Sequence, residues 1–278
     1  MSAARALLTC GMIIVMCGCA VVRTAVPLRV ALLAPFEGRY REIGYNALYA
    51  ARLAFADSPN TTLDLLAVDD GSTQERAADR ARALVRDSQI VGAVVLGYAA
   101  AAPDTLGAFE DIPVIIIGNW ATAEPDDSVF ALANPAIDDQ VTVSPDFAVT
   151  DASALEPPAI GGEVFALRGF VRLRDSLSGI TVVSSGSLPD PQFAERYRQS
   201  DPFAPPPGLL ATLTYDAFSM ILSADHASRA SLNASLQNIT YDGLNGSIRF
   251  VDGYWANAPI HFYHYENEQL TTADDIVE

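Results

Sequence analysis

The chain has no lysine: all 17 of its basic residues are arginine, against 34 aspartates and glutamates, for a formal charge of −17. Phosphate recognition needs clustered positive charge, so nucleic acid is excluded as a partner class. Cysteine is almost as scarce. The three present, Cys10, Cys17 and Cys19, all lie in the first nineteen residues. The remaining chain therefore has neither disulfides nor cysteine metal sites. Only three histidines occur. His261 and His264 are three apart on an expected strand and point to opposite faces, so they make no compact metal pair. His226 follows Asp225 at an expected helix end, where a cation suits the helix dipole. A phosphate-binding glycine loop, a nucleophile elbow and an assembled Ser-His-Asp set are all missing. These absences argue against an enzyme and against any cofactor.

What is present is apolar. Half of the 278 residues are hydrophobic and 18% are charged, which predicts a packed core large enough for one big domain or two modest lobes. The N-terminus reads as a targeting segment. Arg5 precedes an apolar run over 6–16 that is too short for a spanning helix, which needs roughly 20 apolar residues. The run ends at Met16-Cys17-Gly18-Cys19, similar to a lipobox, and small Gly18 makes Cys19 the better lipid acceptor. A plain signal peptide or an uncleaved anchor helix are the alternatives. Removing the first 19 residues leaves 16 arginines against 34 acids, a formal −18. Acyl chains contributing roughly 0.8 kcal/mol per buried CH₂ would hold Cys19 to a membrane face, through the tether at 20–27.

From Leu28 onward, strands and helices alternate. Short apolar runs at 29–34, 63–68, 91–97 and 113–118 read as strands. Residues 41–57 and a segment opened by the capping box Ser72-Thr73-Gln74-Glu75 read as helices. Such βαβ order implies a parallel sheet covered on both faces, with ligands beyond the carboxyl ends of its strands at the topological switch point. Those ends are Phe36-Glu37-Gly38, Tyr98-Ala99 and Asn119-Trp120-Ala121-Thr122. Residues 135–158 are irregular. A strand is expected at 180–184, a helix from 189 to 197, a proline-rich loop at 201–208 and a helix over 210–226. Strands at 246–251 and 259–265 finish the chain.

Several stretches, in this order, resemble the type I periplasmic binding proteins, and among them the branched-chain amino-acid binding proteins of ABC transporters. They are VALLAPFEG (30–38), VDDGSTQERAADRARALV (68–85), PVIIIGNWAT (113–122), VFALANPAIDDQ (129–140), PAIGGEVFA (158–166), ITVVSSGSLPDPQFAERYR (180–198), TYDAF (214–218) and YDGLNGSIRF (241–250). The resemblance implies a two-lobed α/β fold of parallel sheets with helices on both faces. Lobe 1 would comprise 28–134 and 186–252. Lobe 2 would comprise 135–185 and 253–278, and is reduced: about one βαβ unit of roughly 30 residues is missing after Gln140. The implied function is a lipid-anchored, extracytoplasmic solute-binding protein that delivers an amino acid or similar small polar molecule to an ABC permease.

By the same resemblance, Ala121, Thr122 and Glu163 are ligand-contact positions; Tyr98, Ala99 and Trp120 join them as candidates from their place at the strand ends. Thr122 would meet the ligand's amino group, and Glu163 would pair with its ammonium. The pattern departs at 97–102, Gly-Tyr-Ala-Ala-Ala-Ala, where the family carries a serine for the ligand carboxylate. Each position also has a structural reading. Thr122 caps a turn, Trp120 and Tyr98 fill core or cleft, Glu163 is a solvated loop acid, and Tyr215 belongs to a helix's apolar stripe. Asp69-Asp70-Gly71 and Asp126-Asp127 are weak cation sites or ordinary turns. The eroded second lobe keeps another function open: a fold that has lost its ligand and serves as an envelope interaction or sensory module.

Overall fold

A computed structural model describes residues 26–58, 62–120, 124–142, 159–167, 180–266 and 269–273. Cys19, Ala121 and Thr122 lie outside them.

The larger sheet has seven strands. Its parallel centre is β1 (Leu28–Ala34), β2 (Leu63–Asp69), β3 (Ile90–Val95), β4 (Val114–Ile117) and β5 (Val129–Leu132), in spatial order 2-1-3-4-5. Every residue of β3 and β4 is buried. Side chains alternate between faces along a strand, so both faces are covered, as the continuous Val/Ile composition requires. Helix α1 (Arg41–Asp57) places Ile43, Ala47, Ala50, Ala51 and Ala54 inward. The order reverses at β1/β3, because β2 and β3 flank β1. The switch-point crevice therefore opens beyond Ala34 and Val95.

The helices α2 (Gln74–Val85) and α3 (Pro103–Gly107) pack together. The cap of α2 is Thr73, one residue later than the sequence suggested, and its side chain accepts from the Arg76 amide. Ser72 cannot cap: it and Gly71 both sit at positive φ, in a turn held by the Asp70 carboxylate on the Ser72 amide at 2.7 Å. Asp69 accepts from the Phe36 and Gly71 amides, so this acidic pair organises a turn. Asp126 does the same for Ser128 and Val129.

A second sheet, four-stranded among the described residues, has the order 13-12-7-6: β13 (Gln269–Thr272), β12 (His261–Glu266), β7 (Ile180–Ser184) and β6 (Ala159–Gly161). The chain passes between the sheets after β5, after β7 and before β12. These crossings meet: the Asn134 amide donates to the Ser185 hydroxyl at 2.8 Å, and the Asn134 side chain donates to the Ala258 carbonyl at 2.6 Å. Between the second and third crossings run α4 (Pro191–Ser200), α5 (Leu209–Ser223), which packs on α1, and α6 (Arg229–Asn238).

The strand expected over 246–251 is interrupted at Arg249. Its first part is β9 (Gly246–Ile248), paired in a hairpin with β8 (Tyr241–Gly243). Its second part, β10 (Phe250–Val251), pairs with β11 (Tyr254–Trp255) at the edge of the large sheet. Tyr254 and Trp255 therefore share a sheet with β5, just past the boundary expected at 252. The hairpin packs over buried Asp216, whose carboxylate accepts from the Leu244 and Asn245 amides at 2.9 Å each. Burial pushes that carboxyl up, opposed by the same hydrogen bonds.

Gly44 lets α1 approach the end of β1. A Cβ there would lie 2.2 Å from the Pro35 carbonyl oxygen. Glycine to alanine in a helix interior ordinarily stabilises by up to about 1 kcal/mol. Here Gly44→Ala is expected to destabilise by about 1–3 kcal/mol, read as a lower urea midpoint at unchanged m-value. A raised midpoint would contradict this packing.

Candidate functional site

The carboxyl ends of β3 and β4 carry a row of rings. Tyr98 meets Trp120 edge-to-face at 5.1 Å between centroids, and Tyr40, at the start of α1, meets Tyr98 at 5.6 Å. The Arg39 guanidinium lies over the Tyr40 ring at 5.4 Å. Trp120 is buried, and its indole N–H donates to the Ile117 carbonyl at 2.5 Å. That bond folds the ring back over its own strand. Tyr98 is half-buried. Ala99, Ala100, Ala101 and Ala102 are buried. The Ala101 amide donates to Gly97 and the Ala102 amide to Ala99, while the Thr105 hydroxyl donates to the Ala99 carbonyl at 2.8 Å. The loop after β3 is thus closed on itself.

Glu163 approaches β4 from the second sheet's side of the molecule. The turn before it lacks side chains: a Cβ on Gly161 would fall 2.2 Å from the Phe165 ring. Glu163 is 1% exposed, which excludes the solvated loop acid. Its carboxylate accepts from the Asn119 amide at 3.2 Å and from the Ser184 hydroxyl at 3.0 Å. The first bond reaches the large sheet, the second stays with β7. Gly118, at φ +77°, turns the chain at the end of β4, and a Cβ there would come 3.4 Å from the Glu163 carboxyl carbon. Burial pushes this carboxyl up to about 7, against hydrogen bonds from its own amide, Asn119 and Ser184; nearby Asp138 pushes the same way. The Asn119 side chain also bonds Asp138, whose carboxyl is raised by partial burial.

Trp120 and Asn119 border a cavity of about 280 Å³ beyond β4 and β5, whose wall includes Gly118, Glu124, Asp138 and Tyr254. A second space, about 360 Å³, lies between the second sheet and α1, α4 and the loop before α5, with Glu42, Leu167, Leu188, Arg198 and Tyr265 in its wall. Among the described residues no group of three or more histidines, cysteines or acids could hold a metal, and no helix is long and apolar enough to cross a membrane.

No family model matches the sequence, and no curated protein matches it either. Solved structures do. An extracellular ligand-binding receptor from Desulfohalobium retbaense superposes with a TM-score of 0.72 at 15% identity, over 89% of this chain and 60% of that one. The chain thus spans about three fifths of that receptor's length. A leucine-binding protein from Thermotoga maritima superposes at 0.68 with 13% identity, over 90% of this chain and all of the other. The isoleucine complex of a branched-chain amino-acid transporter substrate-binding protein from Streptococcus pneumoniae superposes at 0.66 with 15% identity, over 89% and all of the two chains. The fold is that of the type I periplasmic binding proteins.

Within this periplasmic-binding-protein fold, Tyr98, Ala99 and Trp120 come together at the switch point. Glu163 joins them through Asn119. Sequence reading missed Asn119, Ser184 and Asp138. Asn119 alone carried a usable signal, as a polar residue ending an apolar strand.

The folded-state value of Glu163 lies above the 4.5 of a free glutamate. Folding therefore favours its protonated form. That contribution is whole below about pH 4.5 and is lost as pH rises through about 7, with an upper size of order 3 kcal/mol. Asp70, pushed up to about 6 mainly by burial, has the same sign over a lower window. Denaturant melts of the wild type are expected to show stability falling between about pH 4 and 7. Glu163→Gln should flatten the upper part of that slope and leave the lower part. An unchanged profile in the variant would count against the assignment.

Proposed function

We propose that this chain is an extracytoplasmic solute-binding protein, which takes a small polar molecule between its two lobes and presents it to an ABC uptake permease. The observation that carries the reading is the meeting of three chain crossings at Asn134, Ser185 and Ala258, beyond the carboxyl end of β5 in the large sheet. Two sheets joined by three chain crossings can rotate about them, and a ligand held by both favours the closed state through its differential contacts. We take residues 28–134 and 186–252 as the first lobe, extended by β11, and the remainder as the second.

In this reading Tyr98, Ala99 and Trp120 form the wall on the first lobe, with Ala121 and Thr122 supplying polar contacts. Glu163 supplies the carboxylate from the second lobe. Binding is non-covalent and needs no cofactor. Solved structures of the same fold support a solute-binding role: the Streptococcus pneumoniae protein is in complex with isoleucine, and an ABC transporter substrate-binding protein from Desulfitobacterium hafniense is in complex with leucine. The lipobox-like Cys17-Gly18-Cys19 supports anchoring through a lipid on Cys19.

One observation favours a second reading, an envelope interaction or sensory module that has lost its ligand. The rings of Tyr98 and Trp120 pack edge to face, and Ala99–Ala102 are buried, so part of the crevice is already filled.

Isothermal titration with amino acids and small amines separates the two. A binder with a Kd in the micromolar range or tighter and a raised melting temperature is expected; no heat and no thermal shift with any of them would leave the interaction module. For the anchor, metabolic labelling with a fatty-acid analogue is expected to tag the wild type, and Cys19→Ser should abolish the tag. Labelling that survives Cys19→Ser would contradict the anchor assignment.

A further inference from the structure

We infer that the proline-rich loop at 201–208 and the neighbouring groove on α1 form one self-complementary docking surface, through which two copies of this chain pair face to face. The inference goes beyond the solute-binding reading and does not depend on it.

Among the described residues Phe203 is the most exposed large hydrophobic side chain, at 83%. Its loop holds it out in a fixed place. Both ends are pinned to α1: Asp201 pairs with Arg52 at 3.5 Å, and the Gly208 amide donates to the Asn46 side chain at 3.0 Å. Between those pins stand Pro202, Pro205, Pro206 and Pro207, each with φ fixed by its ring. The turn is closed as well. The Phe203 amide donates to the Asp201 carboxylate at 2.8 Å, and the Ala204 amide to the Asp201 carbonyl at 3.1 Å. A ring presented so rigidly loses little freedom when a partner covers it, which favours association.

Beside the loop runs a groove of about 890 Å³, with Arg39, Arg41, Tyr45, Tyr49 and Phe203 in its wall. Rings line it. Tyr45, itself exposed, packs edge to face on Phe36 at 5.9 Å between centroids, and the Arg52 guanidinium lies over the Tyr49 ring at 5.3 Å. Tyrosine, phenylalanine and arginine are the residue types enriched where proteins meet.

Two observations point to a second copy as the occupant. A two-fold interface uses the same patch on both sides, so it needs a projection and a recess side by side. Phe203 and the groove at Tyr45 and Tyr49 are such a pair. The other observation is charge. With 34 acids against 17 arginines, two copies repel over most of their surfaces. Around this groove the signs balance: Arg39, Arg41 and Arg52 stand with Glu37, Glu42 and Asp201. Repulsion is small here, and arginines of one copy can meet acids of the other. The same acids disfavour an anionic lipid surface.

The test is analytical ultracentrifugation of the full chain in mild detergent, from low to high micromolar concentration. A monomer–dimer equilibrium with a micromolar Kd is expected. Phe203→Ser and Tyr45→Ser should each weaken it at least about tenfold. Phe203→Ser should leave the thermal melt of the monomer unchanged, because that ring is exposed. A mixture of the two variants tests the geometry. Each variant alone loses both reciprocal contacts. A mixed dimer keeps one, Phe203 of the Tyr45→Ser copy in the intact groove of the other, so the mixture should associate more tightly than either variant alone. A chain that stays monomeric overturns the inference. So does a dimer indifferent to Phe203→Ser, or a mixture no tighter than the separate variants. A monomer that binds phosphatidylglycerol vesicles through Phe203 also overturns it, and makes the loop a membrane contact.

Discussion

The arrangement depends on one residue, Asn119, which holds two carboxylates at the junction of the lobes. Its amide donates to Glu163 and its side chain bonds Asp138. Asn119 sits there because β4 ends at Ile117 and Gly118, at positive φ, turns the chain out of the sheet. Asp138 sits there because Asn134 caps the turn that follows β5 while it also ties the crossings together. Glu163 arrives from the second sheet's side, fixed by Ser184 on β7. A single polar residue thus couples the sheet's end, the first crossing and the second lobe.

Placing two acids together, with no cation beside them among the described residues, costs stability, and the rest of the fold offsets that cost. The offset comes from a sheet whose central strands are buried on both faces and from the tight approach of α1 at Gly44. Proteins keep such locally unfavourable arrangements mostly at functional sites. The ring row from Tyr40 to Trp120 adds to this picture. It fills the space over the carboxyl ends of β3 and β4.

Much of the fold was legible because its signals are local. Continuous apolar runs marked β1 to β4, and polar residues at their ends marked the switch point. What escaped was set by long-range contact or by short elements. Glu163 read more readily as a surface acid, because its partners Asn119 and Ser184 are 44 and 21 residues away. The cap of α2 was displaced by one residue because two successive left-handed residues cannot be seen in the letters Gly-Ser. Helix α6 went unnoticed because only Leu232 and Leu236 of its ten residues are buried, although Ser228 and Ser231 form a capping box. The two-residue strands β10 and β11 are too short for any periodicity.

The central claim is that Glu163 is a buried carboxyl at the lobe junction, held by Asn119 and Ser184 with no cation beside it among the described residues. The direct measurement is the pH titration of its side-chain carboxyl by carbon-13 NMR, assigned by difference with Glu163→Gln. The account predicts a midpoint near 7. A midpoint in the ordinary range of a solvated glutamate would contradict it.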